Sequence, residues 1–204
     1  MRIFLLMIIV MMTGCRAPEQ ETLPKDPNPH EVDVIRFNEI VIFASNRLPK
    51  RVGFWALPPT VYICPSSPAN QARVERSIRF WETKLKYLFL GPITDPMPEA
   101  CINSEVYEHG AILITLRGQD FPEDKLAVTR TYRRSNGEIV GARIELQGFA
   151  GRTERVLEHE FGHALGWQHT NTMYHLMHPV HARGGWTIRG LDASDEEQRQ
   201  FLPR

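Results

Sequence analysis

The sequence predicts an α/β fold, a mixed twisted sheet carrying two long helices. Three observations carry this: short β-like runs alternate with helical stretches, an Asn-Gly pair joins two β-rich runs, and the middle run is apolar throughout. The chain has 204 residues, 42% hydrophobic and 24% charged, which suits one soluble domain with a core once a leader is set aside. Its 24 basic and 24 acidic side chains cancel, and nothing in that balance points to nucleic acid or to an anionic membrane surface.

Taken in order, Arg2 precedes an apolar run over residues 3–12, followed by Thr13, Gly14 and Cys15. About 20 apolar residues are needed to span a bilayer, so this run reads as the h-region of an export signal. Met12-Thr13-Gly14-Cys15 resembles a bacterial lipobox, with Met12 where leucine is usual. The resemblance implies lipidation of Cys15 and a lipoprotein of the cell envelope, facing the periplasm or the cell surface. An ordinary secretory signal would give a secreted protein instead. Residues 16–30 are polar and hold Pro18, Pro24, Pro27 and Pro29, a composition that tethers rather than packs. Residues 32–43 are β-like, so residues 16–50 are read as a tether with an extra strand or a removable pro-segment. Lys50-Arg51 would suit processing, or is an ordinary dibasic pair in a loop.

The folded domain is expected over residues 51–204. A β-like run over residues 52–64 stops at Cys64-Pro65. A helix is expected over residues 69–89, with Val74, Ile78, Trp81, Leu85 and Leu88 as its core stripe and Gly91-Pro92 as its stop. Residues 111–116 suit an inner strand buried on both faces. Residues 126–134 and 138–146 form a hairpin around Ser135-Asn136-Gly137. A second helix starts near Gly151 or Arg152 and carries Val156, Leu157, Phe161, Ala164 and Leu165 on one side. In an exported protein, Cys64 and Cys101 are expected to pair; two buried thiols are the alternative.

The chemistry lies in the second helix. His159 and His163 are four apart, one turn above each other on one helical face, so both imidazoles can meet one metal ion. Glu160 sits beside the first, in reach of a water on that metal. Gly166 supplies the left-handed turn that ends the helix and brings His169 round as third ligand. Three protein ligands leave a fourth position open, as in catalytic zinc sites. Five fixed positions arise by chance about once in three million start sites, so accident is a poor explanation.

The stretch from His159 to His169 resembles the metzincin consensus H-E-x-x-H-x-x-G-x-x-H without mismatch. Met177, two residues before Pro179, is similar to the Met-turn of the matrixin branch; Met173 is its rival and lacks the proline. The resemblance implies a zincin-like α+β domain with a small C-terminal subdomain holding the Met-turn and a closing helix capped by Asp192 or Ser194. It implies one catalytic Zn2+, Glu160 as general base, and hydrolysis of peptide bonds. It departs from matrixins in two places. Residues 16–50 hold no cysteine to keep the enzyme latent, and Leu126-Ala127 is followed by Val128 where a zinc-binding histidine is common. No second zinc is expected, and Asp120 and Asp124 leave Ca2+ open. His175, His178 and His181 read as solvated loop histidines, or else as residues that tune the site or line its cleft. The expected partners are a peptide or protein substrate and, through the lipid alone, a membrane; no nucleic acid is expected, and the chain is read as a monomer. A zinc hydrolase of cell-wall peptides shares these residues, as does a surface protein that keeps zinc structurally. A structural site would have no use for Glu160.

Overall fold

A computed structural model describes residues 48–191. Cys15, the run over residues 32–43 and the helix expected at Asp192 or Ser194 lie outside the described residues. The domain is mixed α/β: five strands in one sheet and two helices. The strands are β1 (Thr60–Ile63), β2 (Leu90–Ile93), β3 (Ala111–Leu116), β4 (Ala127–Arg133) and β5 (Ile139–Leu146). The helices are α1 (Gln71–Leu85) and α2 (Val156–Ala164). Among the described residues the strands run β2-β1-β3-β5-β4, all parallel except β4, which pairs antiparallel with β5 and stands at one edge of the described sheet. None of the described helices is long and apolar enough to cross a membrane.

Alternation along β3 divides the core. Ile112 and Ile114 face both helices, in a cluster with Val74, Ile78, Trp81, Leu157 and Phe161. Ala111 and Leu113 face the other way, against Cys64 and Ala100. That second face is covered by the loop between β2 and β3. Cys64 and Cys101 are joined there by a disulfide. Arg143 on β5 holds the same loop, donating from Nη2 to the carbonyls of Ala100, Asn103 and Val106 at 2.6, 3.3 and 3.0 Å. The disulfide closes a loop with a sequence separation of 37. Replacing both cysteines by alanine is expected to cost about 3–4 kcal/mol. The fall would be read from the urea midpoint, and an unchanged midpoint would contradict it.

The β4–β5 hairpin follows the Asn-Gly signal, with Gly137 at φ 87°. Elsewhere the elements differ from the sequence reading. The strand expected over residues 52–64 shrinks to β1; upstream only single bridges form, Arg51 with Trp167 and Phe54 with Glu138. Helix α1 stops at Leu85 because Lys86 turns left-handed at φ 60°. That turn lets Tyr87 bury its ring edge-on to Trp81, with centroids 5.5 Å apart. Leu88 is therefore exposed rather than part of the core stripe, and Gly91-Pro92 lies inside β2 instead of stopping a helix. At its other end α1 is capped by Asn70, whose side chain accepts from the Arg73 amide at 2.9 Å. The second helix begins at Val156, after a 3-10 turn over Ala150–Arg152 and a left-handed Arg155, so only α1 is long.

Candidate metal centre

Helix α2 has nine residues and is too short to stand alone, so its position comes from what grips it. Glu158 makes a buried fork with Arg73, at 2.6 and 2.5 Å, and accepts from the Ser77 hydroxyl at 3.0 Å. Trp81 donates from its indole to the Glu158 carbonyl at 3.0 Å. At the C-terminal end, Trp55 donates to the Ala164 carbonyl at 2.8 Å and Arg51 to that of Leu165 at 3.2 Å. These bonds satisfy carbonyls that the helix itself leaves unpaired. The helix ends in a Schellman turn: the Gly166 amide bonds the His163 carbonyl and the Trp167 amide bonds that of Gly162, both at 2.9 Å. Gly166 stands at φ 95°, and the chain turns there toward His169.

The three histidines converge. Nε2 of His163 lies 3.0 Å from Nε2 of both His159 and His169, and the remaining pair is 3.2 Å apart. Nδ1 of His159 meets the Leu176 carbonyl at 2.7 Å, and Nδ1 of His163 meets the Trp167 carbonyl at 2.7 Å. A carbonyl oxygen only accepts, so both Nδ1 atoms carry the proton, and the neutral rings turn Nε2 lone pairs toward each other. Lone pairs at this separation repel unless a cation sits among them. Zn–N bonds of about 2.0–2.1 Å in tetrahedral geometry would place ligand nitrogens about 3.3–3.4 Å apart, close to the observed spacing. These side chains could hold a metal ion, and they are the one such group among the described residues.

Glu160 is buried beside the first histidine. The Thr129 hydroxyl, on edge strand β4, donates to its carboxylate at 2.6 Å. In the metal-free protein, burial raises the carboxyl from 4.5 to about 7, against the opposing pull of that hydrogen bond. A cation at the three nitrogens would lower it again.

Met177 is fully buried under α2. A Cβ on Gly162 would stand 2.4 Å from its sulfur, so the glycine makes room for the methionine. The Thr170 amide donates to the Met177 carbonyl at 2.9 Å, joining the segment after His169 to this turn. Met173 is exposed. His175 and His178 are not solvated, as the sequence reading had them, but buried. Nδ1 of His175 accepts the Met177 amide at 3.0 Å, and its Nε2 meets the Arg189 carbonyl at 3.0 Å. Nδ1 of His178 accepts the Val180 amide, also at 3.0 Å. His181, half-buried, reaches the Glu154 carbonyl at 2.9 Å.

Burial, ahead of the opposing Arg189 bond, lowers the His175 pKa from its ordinary 6.5. Protonation at Nδ1 would also break the bond from Met177. As pH falls below about 6.5, the unfolded chain takes up this proton before the folded one does, so stability drops on the acid side. The melting temperature of metal-free protein is therefore expected to fall more steeply below that pH than in His175→Asn, whose side-chain oxygen keeps the Met177 bond. Parallel curves for the two proteins would contradict this.

The sequence reading missed Thr129, although period-two alternation puts it on the helix-facing side with Ala127. It also left Lys50-Arg51 as either a convenient processing pair or an ordinary dibasic loop. Arg51 is buried. No protein-family model matches the chain, and no curated protein matches it either.

Proposed function

We propose that the chain is a zinc-dependent endopeptidase of the metzincin type, similar to its matrixin branch. The observation that carries the reading is the converging triad His159, His163 and His169 with buried Glu160 next to the first of them. Three imidazoles are a borderline-soft donor set that suits zinc better than magnesium or calcium. When bound, zinc supplies Lewis acidity, acidifying a water and polarising a carbonyl.

The chain's own groups do the rest. Glu160 takes the proton of the attacking water and delivers it to the leaving amine. Thr129 holds that carboxylate in one orientation through the 2.6 Å bond. The carbonyls of Leu176 and Trp167 fix the tautomers of His159 and His163, so that the Nε2 lone pair of each points toward the other histidines, where a metal would take it. Met177 packs against Gly162 and fixes the floor of the site. Strand β4, at the edge of the described sheet and beside α2, is where an extended peptide would lie by β-augmentation. A lipid on Cys15 would place this chemistry at the cell envelope.

The test is unfolded casein, incubated with zinc-loaded protein in a soluble form that begins after Cys15. Fragmentation is expected. Intact casein beside a chain carrying one zinc would overturn the endopeptidase reading, and cleavage of purified cell-wall peptides alone would move the substrate there.

A further inference from the structure

The segment leading into the domain is bonded to the stretch that connects two of the three histidines. Gln168 donates its amide to the Lys50 carbonyl at 2.8 Å, and Val52 donates to the Gly166 carbonyl at 2.8 Å. Arg51 pairs with Trp167 between them as an antiparallel bridge. The Arg51 side chain turns inward. Its Nε donates to the Leu165 carbonyl at 3.2 Å, and its guanidinium carbon lies 5.4 Å from the Tyr87 ring centroid and 5.7 Å from that of Trp167. Trp167 donates from its indole to the Tyr87 hydroxyl at 3.0 Å, which closes the cluster.

A buried cation on a helix C-terminal carbonyl, between two aromatic faces, is a strong local anchor. What it anchors matters for the metal. Trp167 is the residue whose carbonyl orients His163, and His169 follows two positions later. Positions 165–168 themselves hold no charged residue.

We infer that Arg51 is a positioning residue for the metal centre: by clamping positions 165–168 it sets both the His163 tautomer and the place of His169. This rests on reading the three histidines as a metal centre and not on hydrolysis. Residues 50–52 are then part of the working site, and only cleavage upstream of them would leave it intact.

Zinc affinity tests this. Each protein, beginning after Cys15, would compete with a chromophoric chelator for Zn2+, at a temperature where circular dichroism shows the metal-free form folded. Arg51→Met should weaken zinc about 10- to 100-fold, the range for losing a residue that orients metal ligands. Arg51→Lys keeps the charge but not the planar fork, and should lose several-fold. If the methionine variant does not fold, the lysine variant carries the test, and wild-type affinity in it overturns the proposal. Arg143→Met is the control, because Arg143 is a buried arginine on the far face of the sheet. It should melt earlier yet bind zinc as wild type does. Wild-type affinity in Arg51→Met, or an equal loss in Arg143→Met, overturns the proposal. A wild type that takes up no zinc would instead remove the metal centre itself.

Discussion

Glu160→Gln is expected to stop peptide hydrolysis while leaving one zinc on the protein. Glutamine has nearly the same shape as glutamate and can keep the contact with the Thr129 hydroxyl, now 2.6 Å from the carboxylate. What it loses is the capacity to accept a proton. General-base catalysis contributes about 10²- to 10⁴-fold, so kcat/KM on an unfolded substrate should fall by at least that range. In barrier terms this is about 3–5 kcal/mol. Zinc content should not change, because Glu160 is not among the three histidines proposed to hold the metal. A variant that keeps both its zinc and its rate would remove Glu160 from the chemistry.

Gly166→Ala should have the largest effect on stability. The residue sits at φ 95°, where a side chain costs about 1–2 kcal/mol by itself. A Cβ there would also stand 2.3 Å from the Gly53 carbonyl oxygen, with two more Gly53 backbone atoms inside 3.0 Å. No rotamer relieves a clash between backbones, so the strand-like pairing of Val52 with Gly166 must open. A total loss of about 3–5 kcal/mol is expected, near the upper end for single substitutions. In a domain of this size that lowers the melting temperature by on the order of 10 °C. Zinc affinity should fall as well, since the displaced turn carries His169. A wild-type melting curve would show that the turn tolerates a side chain, and the Schellman geometry would lose its role in placing the ligand.

The parts of this site that could be read from sequence are those whose logic is local. His159 and His163 share a helical face because of a spacing of four, and Gly166 marks the turn that frees His169. The β4–β5 hairpin was equally plain from Asn136-Gly137, and β3 from its unbroken apolar run. The boundaries were less so. Helix α1 stops at a lysine in a left-handed conformation, a role usually given to glycine, because Tyr87 is drawn back onto Trp81 and Trp167. The residues that were missed act across long separations. Thr129 is 31 positions from Glu160, and Arg51 is 114 from the Leu165 carbonyl it serves. His175 looked like a loop histidine because the carbonyl of Arg189, which makes its burial tolerable, comes 14 positions later. Burial of a polar ring is decided by such partners, and no pattern around the residue announces them.

The most direct measurement is a zinc titration of metal-free protein, with casein cleavage followed at each step. Cleavage is expected to be absent at the start, to rise in proportion to added zinc up to one equivalent per chain, and to vanish again with a chelator. Cleavage that ignores both zinc and chelator would contradict the proposed chemistry, as would a chain that binds its one equivalent and cuts nothing.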